Sequence, residues 1–523
     1  MFPLGLLLAL PFALAQSSPV IDLGYAQYQG TVDTATNTTI LLGIRYAAAP
    51  LGDLRFRAPQ PPVDVAGVQQ ATVAPNECMQ ASTGASTTNP LDSRAVQVSP
   101  SEDCLFVNVY YPSDAAGTPL KDLPTLVWIH GGGYIAGQAS SANGEDIIKQ
   151  SNHNVVVVTI QYRLGIFGFL AGSALKNDGA LNAGLLDQDF ALRWVNQHIT
   201  KFGGDPSKVT IWGESAGAGS VLQHVVANGG KTEPQLFRGA ITSSTFLPSQ
   251  YPFDDPISEF IFSEVVSGVN CTSASDALTC LRAADGSLLG TVNNNINLGG
   301  FFGTFSTVPV IDGEFITQRP TLSFLEGKVN GEALLSVTNT FEGTVFVNQK
   351  VDVEAGPYSL ELFPKFTSTQ ADTVATLYGG LGTDLFQADA IQGESIFICP
   401  TYYMLHAFPG KSFKGEFAIP PGLHGNDVAY YFPGGVAPPF NNTDFINAFA
   451  QSFTSFIINL DPNDKVSNTI TPSWNEYVLG NTEMLFNKTN ATPGLPVVQP
   501  FGTSAALLER CQFWNSVGNL TGQ

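Results

Sequence analysis

Charge is scarce in this 523-residue chain: only 13% of residues are Asp, Glu, Lys or Arg, and 23 Lys and Arg stand against 44 Asp and Glu. The resulting net charge of −21 argues against nucleic acid and anionic bilayers as partners, because both are themselves negative. Low charge density beside 44% hydrophobic residues is not the composition of a disordered chain, nor of a coiled coil rich in Ala, Glu, Lys, Leu and Arg. Internal repeats, charge blocks and long Pro or Ser linkers are missing, so nothing divides the chain into modules. One compact unit over residues 16–523 is expected.

Long apolar runs are missing too, apart from the first stretch, so nothing else is of a length to span a bilayer. That stretch, MFPLGLLLALPFALAQ, is short, is broken by Pro11 and ends in the small-x-small pattern Ala13-Leu14-Ala15. It reads as a signal peptide over residues 1–15, with the mature chain beginning at Gln16 and secreted. Cysteine is sparse but even in number: Cys78, Cys104, Cys271, Cys280, Cys399 and Cys511 imply pairing in a secreted chain, and their spacing leaves the connectivity open. Glycosylation sequons at Asn37, Asn270, Asn441, Asn487, Asn490 and Asn519 fit a eukaryotic secretory route.

What the chain does have is punctuated α/β patterning, with 52 Gly and 34 Pro. Apolar, β-branched runs suited to buried strands occur at 126–129, 155–160, 209–212, 333–337 and 417–419. Between them lie helical patterns: Leu186, Phe190 and Trp194 recur every four residues, with Ala191, Val195 and Ile199 as the adjoining row. Strands alternating with helices predict a mostly parallel sheet flanked by helices, with ligands bound beyond the carboxyl ends of the strands.

Three loops carry chemistry. After the strand at 209–212 comes Gly213-Glu214-Ser215-Ala216-Gly217, the G-x-S-x-G pattern that holds a serine on a strained turn between strand and helix. Upstream, the strand at 126–129 runs into His130-Gly131-Gly132-Gly133-Tyr134, whose peptide N–H groups, with that of Ala216, suit the oxygen anion of a tetrahedral intermediate. A phosphate-binding reading of this loop lacks the required Lys-Ser/Thr ending. Ser215 needs a base: His130 belongs to the glycine loop, His198 and His224 fall on predicted helices, His153 and His406 lack a distinctive setting, and His424, in the loop Gly422-Leu423-His424-Gly425-Asn426-Asp427 after an apolar strand, is the best candidate. No H-E-x-x-H or other metal-ligand spacing competes for these histidines. The acid that orients the imidazole is expected between the two in sequence, and Glu342, just past the strand at 333–337, fills that place with Asp312 in reserve.

These blocks, together with GIRYAAAPLGDLRF, SEDCLFVNVY, QYRLGIFGFL, NAGLLDQDFALRWV, FGGDP and CQFWN, resemble the type-B carboxylesterase/lipase family, which includes fungal lipases of the Candida rugosa and Geotrichum kind and the cholinesterases. The resemblance covers nearly the whole mature chain. It implies the α/β-hydrolase fold, Ser215 as nucleophile, Glu342 as acid, His424 as base, and Gly132, Gly133 and Ala216 as the oxyanion hole. It also implies the pairs Cys78–Cys104, Cys271–Cys280 and Cys399–Cys511, a small-molecule or lipid ester as substrate, and no cofactor or metal.

Two departures from the family pattern are visible. Arg45 stands where GIPYA is common, and Phe341 precedes the acid where Asp is frequent, which is expected to change the packing behind Glu342. Catalytically inert adhesion proteins share the fold, but a complete triad favours an enzyme. Sterol, aryl and feruloyl esters stay open as substrates, and nothing specifies an oligomeric state. Residues 79–103, where lipases of this type bear an amphipathic lid, contain eight Ser or Thr and two Pro, so hydrolysis without interfacial activation is expected. Phe301, Phe302, Phe305, Phe341, Phe346 and Phe453 are candidates to line an acyl site.

Overall fold

A computed structural model describes residues 19–84, 100–408 and 410–523. The expected signal peptide, and residues 85–99 of the segment where lipases of this type bear a lid, therefore lie outside the described residues. Eleven strands build the main sheet: β1 Thr31–Asp33, β2 Thr38–Arg45, β3 Phe106–Pro112, β4 Leu123–Ile129, β5 Val156–Ile160, β6 Gly204–Glu214, β7 Gly239–Ser243, β8 Ala333–Asn339, β9 Ser412–Phe417, β10 Thr482–Lys488 and β11 Pro496–Gly502. Their spatial order is β11-β10-β9-β8-β7-β6-β4-β5-β3-β2-β1. Every pairing from β5 through β10 is parallel, and both margins are antiparallel. This is the large mixed sheet of an α/β-hydrolase.

The central strands are buried along their whole length because both faces are covered: no residue of β5, β7 or β8 is exposed. Side-chain alternation divides the core in two. Val127, Ile129, Ile211 and Leu334 face one layer, which holds helices Ala183–His198 and Ala216–Val226. Leu126, Trp128, Trp212, Leu335 and Val337 face the other, covered by helix Thr443–Asn459 with Phe445, Phe449, Phe453 and Phe456.

Two expectations are corrected here. Phe453 does not reach an acyl site: its ring stacks on Trp212 at 5.0 Å between centroids, within this second layer. The strand expected at 417–419 ends at Phe417 instead and begins at Ser412. Its first residues include Lys414, which is fully buried, and a charged residue at a core position hides the apolar pattern by which strands are recognised.

Disulfides join Cys78 to Cys104, Cys271 to Cys280 and Cys399 to Cys511. Of the sequon asparagines, Asn487 is half-buried in β10, and the other five are exposed.

Candidate active site

The site lies where β6, β4, β8 and β9 end. Ser215 follows the last residue of β6 and precedes helix Ala216–Val226, with φ at 56° and ψ at −124°. A positive φ is strained for a residue with a Cβ, and such strain persists only where its surroundings hold it. Here the Ser215 N–H donates to Ser243 O at 2.9 Å, which ties the turn to β7. Gly217 allows the following helix to sit close on β4, since a Cβ there would lie 2.0 Å from Ile129 O.

Beside this turn, a Cβ on Gly131 would lie 3.1 Å from Ser215 Cβ, so the glycine loop runs against the serine. Gly132 and Gly133 both have positive φ, at 102° and 64°. The N–H groups of Gly132, Gly133 and Ala216 have no protein acceptor among the described residues, leaving three peptide donors for a ligand. His130 braces the loop: its Nδ1 lies 2.8 Å from Gly131 O, and its ring stacks on Tyr162 at 4.4 Å. Burial pushes the His130 imidazole down to about 4.

The loops after β8 and β9 meet through Phe341 N–H, which donates to Gly422 O at 2.9 Å. This contact brings Glu342 to His424, with Oε2 at 2.6 Å from Nδ1. The other oxygen of Glu342 accepts from Ser244 Oγ at 2.7 Å and from Asn339 N–H at 2.6 Å, so the carboxylate is held on both sides. Among the described residues His424 Nε2 has no hydrogen-bond partner, and it lies 3.3 Å from Glu214 Oε1. Asp427 sits deeper, accepting from Asn339 Nδ2 at 3.0 Å and Tyr431 OH at 2.8 Å.

Three carboxylates thus surround one imidazole. Burial pushes His424 down, but the hydrogen bond and charge of Glu342, followed by the charges of Glu214 and Asp427, outweigh it and hold the ring up at about 9. Glu214 is pushed up to about 7 by burial, against the pull of His424, with Asp427 and Glu342 adding to the rise. Among the described residues no group of three or more His, Cys, Asp or Glu side chains could hold a metal ion.

Of the sequence candidates, Glu342 and His424 are brought into contact beside the Ser215 turn. Asp312 is not brought to His424: its carboxylate accepts from Asn182 Nδ2 and the N–H groups of Glu314 and Ile316. His153 bonds to Thr36 O and His224 to Gln188, and burial holds His198 and His224 down at about 4.

The aromatic candidates separate as well. Phe346 packs on His424 at 4.9 Å, and Phe301 and Phe305 line an adjoining cavity of about 320 Å³, whereas Phe302 does not. Phe341 is 42% exposed and meets Phe386, so it neither lines the site nor packs behind the acid. Arg45, the other departure, pairs with Asp103 at 2.7 Å. Sequence reasoning missed Ser244, Asn339 and Asp427. The last two lie three residues from Glu342 and His424 respectively, inside the same loop blocks, and that proximity was the available signal.

A model of the carboxylesterase family matches residues 17–379. Lipase 2 of Diutina rugosa is 31% identical over 87% of this chain and 90% of its own. Secreted lipase 1 of Botryotinia fuckeliana is 29% identical over 84% of each. The crystal structure of Aspergillus niger EstA superposes with a TM-score of 0.85 at 31% identity, covering 97% of this chain and 99% of that one.

Proposed function

This chain belongs to the carboxylesterase family and is a carboxylic-ester hydrolase; from that premise we propose that it works through a Ser215–His424–Glu342 triad and an acyl-enzyme intermediate. The observation that carries this reading is the 2.6 Å contact of His424 Nδ1 with a doubly held Glu342 carboxylate, beside a serine on a strained turn. Glu342 fixes the tautomer that leaves Nε2 as base.

In this mechanism Ser215 Oγ adds to the ester carbonyl carbon as Nε2 takes its proton. The carbonyl oxygen becomes an anion held by the N–H groups of Gly132, Gly133 and Ala216. Collapse breaks the bond to the alcohol oxygen, which receives the proton from His424, and Ser215 keeps the acyl group. Water, deprotonated by His424, repeats the addition and releases the carboxylic acid. No cofactor enters either half.

The protein acts as a secreted glycoprotein in this reading, supported by the N-terminal pattern, three disulfides, exposed sequons and similarity to a secreted lipase. Among the described residues no helix is long and apolar enough to cross a membrane. A fluorophosphonate probe followed by peptide mapping tests the core of the proposal. Stoichiometric labelling on Ser215 is expected, and labelling elsewhere, or none on active protein, overturns it.

A further inference from the structure

The segment 243–247, which continues from the end of β7, touches the supports of all three triad residues. Ser243 O accepts from Ser215 N–H at 2.9 Å, and Ser244 Oγ donates to Glu342 at 2.7 Å. Phe246 stacks on Phe397 at 5.4 Å between ring centroids, and Phe397 packs on His424 at 4.6 Å. Ser244 has φ at 59°, a strained value for a residue with a Cβ, so the segment keeps its course only where its far end is held.

That end is Leu247. Facing it is a π-helical turn, Glu394–Ile398, in which Cys399 N–H donates to Glu394 O. This bond uses the N–H four residues beyond Ser395, and five residues beyond it stands Pro400, which has none. Pro400 is also the residue four beyond Ile396. The carbonyls of these two buried residues are met from outside the helix instead: Ile396 O accepts from Leu247 N–H at 2.9 Å, and Ser395 O from Gln523 Nε2 at 2.8 Å. The second proton of the same amide goes to Leu247 O at 2.6 Å. Gln523 is buried and is itself fixed, since its O accepts from Arg319 Nη1 at 2.9 Å and Thr321 Oγ1 at 2.8 Å.

We infer that Gln523 is a positioning residue for ester hydrolysis: its amide clamps Leu247 to Ser395, and so fixes both the segment that supports Ser215 and Glu342 and the ring that packs on His424. The inference rests on the triad proposed above and adds a distant residue that touches no reacting atom. Loss of the clamp leaves the ester's own contacts in place and lets the supports of the triad drift. A misplacement of about 1 Å at reacting groups can cost about 100-fold, so release of one end of the segment is expected to cost about tenfold in kcat.

The test compares Gln523→Met, which keeps the bulk and removes both donors, with Asn330→Ala. Asn330 Nδ2 likewise donates to two backbone carbonyls, His224 O and Ala227 O, at 2.9 Å each, but at the far end of the helix that follows Ser215. Each variant loses two buried hydrogen bonds, so both should melt at lower temperature. With p-nitrophenyl butyrate, kcat per folded molecule is expected to fall about tenfold in Gln523→Met at a KM within twofold of wild type, and to stay within twofold in Asn330→Ala. A kcat within twofold of wild type in folded Gln523→Met, a loss carried by KM, or an equal loss of kcat in both variants overturns the inference and leaves the triad reading intact. Should Gln523→Met fail to fold, the double variant Gln523→Met/Pro400→Ala is read by the same criteria, because its second change returns an N–H to the turn. Turnover that survives Ser215→Ala overturns the triad reading, and this inference with it.

Discussion

Strands β8 and β9 feed two buried charge clusters of opposite character. In one, Lys414 Nζ donates to Thr338 Oγ1 at 2.8 Å, Gly415 O at 2.6 Å and Glu483 Oε2 at 2.9 Å, which uses all three of its protons. Glu483 also accepts from Tyr402 and Thr503. Burial pushes its carboxyl up, yet Lys414 and these bonds outweigh burial and hold it below its ordinary range. In the other cluster one imidazole faces Glu342, Glu214 and Asp427, and His424 Nε2 is left without a hydrogen-bond partner among the described residues. A closed cluster can only support the fold. An open one, with charge unbalanced and a nitrogen free, can exchange a proton with a guest.

The comparison breaks first, and most visibly, at the serine. Ser215→Ala is expected to lower kcat by on the order of 10⁴-fold or more with little change in melting temperature, measured on purified protein by ester turnover and calorimetry. Near-normal turnover would remove the open cluster from the chemistry altogether. Glu342→Gln comes next, at about 10³- to 10⁴-fold, because the amide cannot fix the tautomer or stabilise the imidazolium. Asp312→Asn, which disturbs only a structural turn, is expected to cost stability with kcat changed a few-fold at most; the reverse ranking would move the acid assignment to Asp312.

Lys414→Met attacks the closed cluster and leaves Glu483 buried without its cation. It should lower unfolding free energy by about 3–5 kcal/mol in a denaturant titration, with turnover per folded molecule unchanged. A large loss of kcat in fully folded protein would mean that the two clusters are coupled.

The smallest expected effects are in pH dependence. His424 is raised to about 9 from 6.5, and Glu214 to about 7 from 4.5, so both bind protons more tightly in the folded chain. The stability they contribute is fully present below their ordinary values and is lost as pH rises through the folded ones. The folded state should therefore melt at lower temperature at pH 9.5 than at pH 6, and an equal or higher melting temperature would contradict the charge imbalance. Glu214→Gln removes one negative neighbour of His424, so the rising limb of kcat/KM against pH should move down by roughly one unit. An unmoved limb would show that Glu214 does not act on His424.

Legibility in the sequence followed the range of the interactions. The Ser215 turn and the Gly131–Gly133 loop were readable because strand, turn and helix are consecutive, so their geometry is written in adjacent residues. Glu342 was found from chain order, but its support was not: Ser244 reaches it only because β7 pairs with β8 in the register that places Ser243 beside Val337. The aromatic candidates were the least readable. Phe346 and Phe453 are both buried phenylalanines, and only the packing of helix Thr443–Asn459 puts the second against Trp212, away from the reactive groups.

By itself, then, the sequence pointed to the reaction class, the α/β architecture and the loops that hold Ser215, Glu342 and His424: the serine turn and glycine loop through adjacent residues, Glu342 through chain order, and the reaction class through the resemblance of its blocks to a known family. Tertiary structure alone decided which buried charges are closed and which are open, and which aromatic side chains lie beside the reactive groups. Those properties depend on distances between residues far apart in the chain: Glu342 and His424 are separated by 82 positions, and Ser244 and Glu342 by 98. Such distances are set by how the strands are ordered and the helices packed against them.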